Sequence, residues 1–191
     1  MGMTHLETLL ERNRDFSLTD AKEKVPAIPF IPNMQTYVLT CLDPRVDPSD
    51  ILGLRLGDAI VARSVGGRVT DAVLADLAWV CQLHETKTPD AEWFELAVIH
   101  HTDCGSALFA DDALRNSFSA RYGYNDAMLA TLAVLDPART ARADVDTLLA
   151  APQRAPRIAV SGYAYDLKTG LLTQVAGPRT RADHPSASSP R

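Results

Sequence analysis

No apolar run in the 191 residues approaches the roughly 20 needed to cross a bilayer. The first residues also lack the basic start and apolar segment of a secretory signal. A soluble, cytoplasmic protein with no membrane partner is therefore expected. The opening Met1-Gly-Met-Thr-His-Leu6 lacks the Ser or Thr that a myristoylation signal carries at its sixth position. Long blocks of one charge sign are missing too: 19 basic and 24 acidic residues leave a net charge of −5. That balance argues against a nucleic-acid partner and a polybasic membrane patch, and for a small-molecule partner. Cysteine is scarce, and its count of three is odd. In a reducing compartment such residues serve as metal ligands or catalytic thiols more often than as disulfides. The length and the 46% hydrophobic content suit one well-formed core rather than two domains.

A short helix is expected over residues 4–14, with Thr4 as N-cap, Glu7 in capping-box position and Leu6, Leu9 and Leu10 on one side. The following segment carries Pro26, Pro29 and Pro32, which forbid helix and central strand alike, so residues 1–35 read as a helix and extended arm. So short a helix can bury its leucines only against a body, its own or a second subunit's. Buried strands are expected at 36–41, 58–63, 94–100 and 157–165, with a hairpin return at 171–175. The clearest helix covers 70–85, capped by Thr70 or Asp71. Further helices are expected at 106–114, 126–135 and 141–150, with 116–125 as loop and a disordered tail over 177–191. This alternation predicts an α/β fold: a mostly parallel sheet of about four strands plus a C-terminal antiparallel hairpin strand, with helices on both faces. Ligands in such sheets bind at the carboxyl ends of the strands, where the strand order reverses.

Cys41 ends one apolar run, and His101 and Cys104 follow another. If those strands are neighbours, two thiolates and one imidazole converge, a set that with water resembles a catalytic zinc site more than a closed structural one. Asp43 and Arg45 extend the first loop at intervals of two, so the carboxylate either completes a closed site or is held off it by a bidentate guanidinium. His100 should point to the opposite strand face from His101 and pack in the core. Cys81 falls on the apolar stripe of the 70–85 helix and reads as a small core residue, and His84 on the same stripe has no stronger claim to chemistry.

Cys41-Leu-Asp-Pro-Arg45, Arg63-Ser-Val-Gly-Gly67 and His101-Thr-Asp-Cys-Gly105 resemble, in order, the three signatures of the β-class carbonic anhydrases. The resemblance covers roughly residues 36–176. It implies one zinc ion on Cys41, His101 and Cys104, with Asp43 and Arg45 as the dyad that admits or orients a zinc-activated water. It also implies reversible hydration of carbon dioxide to bicarbonate, and a homodimer or higher homo-oligomer embraced by the N-terminal arms. Ser64, Val65 and Gly66 then border the substrate pocket. Ser64 and Val65 depart from the family's usual Asn and Ala, and the His-His-Thr-x-Cys-Gly run also resembles carbonyl sulfide and carbon disulfide hydrolases. A larger apolar wall at Val65 is compatible with sulfur. The remaining readings are a structural zinc with Asp43 as permanent fourth ligand and a non-catalytic zinc-binding scaffold.

Overall fold

A computed structural model of the chain describes residues 4–20, 27 and 30–183. Five strands form one sheet: β1 (Thr36–Cys41), β2 (Ala59–Ser64), β3 (Glu95–His101), β4 (Val160–Asp166) and β5 (Leu171–Arg179), in the order β2-β1-β3-β4-β5. The first four are parallel and β5 runs antiparallel to β4. The strand order reverses between β1 and β3, which pair directly. The carboxyl ends of β1 and β3 therefore open onto one crevice, as expected of a ligand site in a doubly wound sheet.

The main core lies under α3 (Asp71–Lys87) and α6 (Pro137–Ala150). Tyr37, Leu39, Leu96, Val98 and Val160 of the sheet pack there against Val73, Leu77, Val145 and Leu148. Strand periodicity sends Leu96, Val98 and His100 to that face and Ala97, Ile99 and His101 to the other. The second face is partly covered by α2 (Pro48–Ile51) and the segment after it, where Leu52 lines a cavity with Val38, Ile99 and Tyr163. Cys81 is buried in the main core, as its place on the stripe implies. His84 is buried at the far end of the molecule, edge-on to Trp93 with 4.1 Å between ring centroids.

The N-terminal helix α1 (His5–Leu18) carries the full capping box between Thr4 and Glu7 but runs longer than expected, and none of its residues is buried. Most of the proline-rich arm after it, residues 21–26 and 28–29, lies outside the described residues.

Four assignments change. The segment expected to be helical from 106 is a 3-10 turn (Gly105–Ala110), and much of the stretch expected to be loop lies in α4 (Asp112–Tyr122). Asp111 caps α4 by accepting from the Leu114 amide, and Gly123 closes it in the left-handed conformation. Phe118 packs on Tyr122 one turn away and on Phe109 and Tyr124, so aromatic contacts hold a helix whose polar composition hid it. The helix expected at 126–135 stops early as α5 (Asp126–Thr131). At the C-terminus β5 extends to Arg179 and a 3-10 turn covers Arg181–Asp183, so the expected tail begins as ordered chain. Residues 184–191, with His184, lie outside the described residues.

Candidate metal centre

Cys41 is the last residue of β1, His101 the last of β3, and Cys104 follows three residues on at the start of the Gly105–Ala110 turn. Their ligand atoms lie within 4.8 Å of one another and all three residues are buried. The two sulfurs are 3.8 Å apart. They share protons unequally. Hydrogen bonding from Cys41 pulls the Cys104 thiol down to about 4, and the same contact, with burial, pushes Cys41 well above the usual thiol range. The contact thus favours the thiolate form on the Cys104 sulfur.

His101 is arranged as a ligand. Its Nδ1 lies 2.8 Å from the Thr102 carbonyl, which can only accept, so Nδ1 carries the hydrogen and Nε2 the lone pair. That Nε2 is buried without a hydrogen-bond partner. Burial, the strongest single influence, pulls the His101 pKa down. The Cys104 thiolate, the Thr102 carbonyl and Asp43 together outweigh it and raise the value. A buried lone pair with no donor costs about 1–3 kcal/mol, and a buried thiolate more. A cation at the centre of the three atoms would relieve both costs. The donor set, two sulfurs and one imidazole nitrogen, is the borderline-soft set that zinc takes, so the residues present fit a zinc ion.

The turn from β1 supplies the dyad. Asp43 Oδ1 accepts from Arg45 Nε at 2.9 Å and Oδ2 from Nη2 at 2.6 Å, a bidentate pair. Asp43 Oδ2 stands 4.0 Å from His101 Nε2. Hydrogen bonding from Arg45 holds the Asp43 carboxyl down at about 2, so it stays ionised and can only accept.

Three residues to which the sequence reading gave no role of their own complete the arrangement. Asp103, in the left-handed region at φ 53°, accepts from Arg45 Nη1 at 2.8 Å through its carboxylate and from Nη2 at 3.0 Å through its carbonyl, tying the two loops together. Arg63 donates to the carbonyls of Cys41 at 3.0 Å and Asp43 at 2.7 Å and pairs with Asp47, fastening the backbone of the first loop. Ser106 places its hydroxyl 3.2 Å from the Cys104 sulfur. Asp103 and Ser106 lie within two residues of Cys104, which is the one sequence signal that could have raised them.

Ser64, Val65 and Gly66 follow β2 beside the centre. Ser64 Oγ donates to the Arg68 carbonyl at 2.7 Å, so the hydroxyl is used within its own turn. Val65 is 40% exposed. Gly66, at φ 69°, leaves no room for a side chain: a Cβ there would lie 2.7 Å from Ser106 Oγ. His100 lies outside the centre, fully buried against α6 with Nδ1 2.7 Å from Thr140 Oγ1, as strand alternation required.

A Cys-His-Cys group that could hold a metal stands at the carboxyl ends of parallel strands and beside an Asp-Arg pair, the arrangement of a metal site in an α/β protein. The family described as carbonic anhydrase matches residues 36–144. The chain is 28% identical over 173 residues to β-carbonic anhydrase 1 of Mycobacterium tuberculosis, covering 91% of this chain and 99% of that protein. It is 33% identical over 115 residues to a carbon disulfide hydrolase of Saccharolobus solfataricus, covering 60% of this chain and 50% of the relative. Among solved structures, carbonic anhydrase from Streptococcus mutans superposes with a TM-score of 0.72 at 28% identity over 92% of this chain and 99% of the other. The chain belongs to the β-class carbonic anhydrase family.

Proposed function

We propose that the protein is a zinc enzyme that reversibly hydrates carbon dioxide to bicarbonate, with Cys41, His101 and Cys104 holding the metal and Asp43 and Arg45 positioning the nucleophile. The observation that carries this reading is the Asp43 carboxylate held by Arg45 with its Oδ2 4.0 Å from the unpartnered His101 Nε2. A carboxylate placed so is near enough to orient a water at the centre and is committed elsewhere by its guanidinium partner. When bound, zinc would bring the pKa of a water to about 7 and so supply a nucleophile near neutral pH. Ionised Asp43 accepts a hydrogen bond from that nucleophile and aims its lone pair, while Arg45, braced by Asp103, keeps the carboxylate from collapsing inward. Cys41 and Cys104 hold charge rather than protons during turnover. His100 faces α6 and does not reach the centre, so the released proton passes to solvent or buffer rather than to that imidazole.

A second reading, hydrolysis of carbonyl sulfide or carbon disulfide, is favoured by the carbon disulfide hydrolases among the relatives and by the exposed Val65 beside the centre. Steady-state rates on carbon dioxide, carbonyl sulfide and carbon disulfide, measured side by side on protein loaded with one zinc per chain, decide between them. Carbon dioxide should be the fastest. A higher rate on either sulfur compound reverses the assignment, and inactivity on all three at pH 7 and pH 9 leaves a zinc-binding scaffold.

The same reading includes a homodimer or larger homo-oligomer in the cytoplasm. Its support is α1, a well-capped helix with Leu6, Leu9, Leu10 and Phe16 all more than 40% exposed, which is uneconomical for an isolated chain. Among the described residues no helix is long and apolar enough to cross a membrane.

A further inference from the structure

Beneath the centre, on the α6 side of the sheet, lies a buried polar cluster that the chemistry above does not use. His100 is fully buried, with Nδ1 2.7 Å from Thr140 Oγ1 and Nε2 3.2 Å from the Gly67 carbonyl and 3.3 Å from Asp144 Oδ2. Gly67 O and the Asp144 carboxylate only accept, so Nε2 carries a hydrogen and donates to them. Asp144, 2% exposed, also accepts from Arg68 Nε at 2.7 Å and Nη2 at 2.9 Å and from the Val69 amide at 3.1 Å. Arg68 further donates to the Thr131 carbonyl on α5. Residues 67, 68 and 69 are thus each fastened to α5, α6 or the buried face of β3.

The segment so fastened is the turn that faces the metal centre. Gly66 and Gly67 both have φ near 70°, and a Cβ at Gly67 would lie 3.0 Å from the Ile99 carbonyl and 3.1 Å from His100 Cδ2, so the turn is wedged against β3. A Cβ at Gly66 would lie 2.7 Å from Ser106 Oγ, and that hydroxyl lies 3.2 Å from the Cys104 sulfur. A chain of contacts therefore runs from α6 through His100 to the carbonyl of Gly67, and from Gly66 through Ser106 to Cys104, a candidate metal ligand.

We infer that His100 is a positioning residue for the metal centre: with Thr140 and Asp144 it locks the turn at Gly66 and Gly67 so that Gly66 stays packed on Ser106 and the Ser106 hydroxyl stays on the Cys104 sulfur. The inference rests on the zinc reading for its metal readouts but not for its backbone readout. Outer-shell hydrogen bonds of this kind are worth about 10–100-fold in metal affinity. His100 differs from the usual supporting partner in acting through a backbone turn rather than on the ligand itself.

The test uses the full-length protein with three variants. His100→Phe keeps a ring and removes both nitrogens; Thr140→Val removes only the hydroxyl that orients the ring; His100→Gln keeps a donor at similar reach. In the metal-free proteins, hydrogen exchange at the Arg68 and Val69 amides, which donate to Val65 O and Asp144 Oδ2, should accelerate at least about tenfold in His100→Phe and measurably in Thr140→Val. Zinc affinity, read by competition with a chromophoric chelator, should fall about 10-fold or more in His100→Phe, and His100→Gln should recover most of it. The thiolate-to-metal absorption of the cobalt-substituted protein should shift in step. Folded His100→Phe and Thr140→Val with wild-type exchange at Arg68 and Val69, wild-type zinc affinity and an unshifted cobalt spectrum would reduce His100 to core packing and overturn the inference. Should His100→Phe fail to fold, Thr140→Val decides, and a wild-type result in it is equally fatal. A wild-type protein that binds no zinc sinks the enzyme reading instead, and the exchange measurement still tells whether the lock exists.

Discussion

Replacing Asp43 by Ala separates the two halves of the site. The change removes the acceptor of Arg45 Nε and Nη2 but leaves the guanidinium its contacts with the carboxylate and carbonyl of Asp103. Arg45 is half exposed, so the lost ion pair should cost less than about 1 kcal/mol of stability. Cys41, His101 and Cys104 are untouched, so zinc content should stay at one per chain and affinity within about threefold. Turnover should fall sharply, because a nucleophile misplaced by about 1 Å loses on the order of 100-fold in rate. That factor equals about 2.7 kcal/mol of transition-state stabilisation. Cys41→Ala should behave oppositely, losing the metal and activity together. The assays are zinc content after dialysis against a weak chelator, stopped-flow hydration of carbon dioxide with a pH indicator, and thermal melting. Equal zinc loss in both variants would mean that Asp43 is itself a permanent ligand. Unchanged turnover in Asp43→Ala would refute the role given to the dyad.

Gly66→Ala should be destabilised by about 1–3 kcal/mol, since it forces a side chain into the left-handed region and against Ser106 Oγ; a melting temperature equal to wild type would contradict the packing described. Asp103→Gly relieves the left-handed strain at φ 53° while removing a carboxylate from Arg45. Its melting temperature should therefore stay within about 2 °C of wild type. Turnover should drop severalfold, and an unaltered rate would show that Arg45 needs no second anchor. The folded pKa of Asp43 lies below its unfolded value of about 4. Its contribution to stability is accordingly complete above that unfolded value and is lost as pH falls through about 2. Carboxyl carbon shifts followed by NMR should place the Asp43 midpoint near 2, and a midpoint at 4 or above would refute the pairing with Arg45.

The centre was legible where one residue's chemistry met one element's end. Cys41, His101 and Cys104 stand where apolar strands stop, and a parallel sheet delivers such ends to one crevice whatever else the chain does. The orientation of His100 followed equally directly from the two-residue period of β3. What escaped depends on pairings between segments far apart in the chain. Arg45 meets Asp103 across 58 residues, and Asp144 meets Arg68 across 76, so no local spacing announces either contact. The helix α4 escaped for a different reason: Ser and Asn lower its intrinsic preference, and its stabilisation comes from Phe118 against Phe109, Tyr122 and Tyr124, although Asp111 and Gly123 marked both ends. The glycines after β2 close one of the three signatures, and only half of their meaning is local. Positive φ explains why each is glycine, but the wedge against Ile99 and Ser106 explains why the turn sits beside the Cys104 sulfur. Asp144 holds the Val69 amide just past that turn, so the buried acid on α6 braces the Gly66 side of the site as Asp103 braces Arg45 on the other.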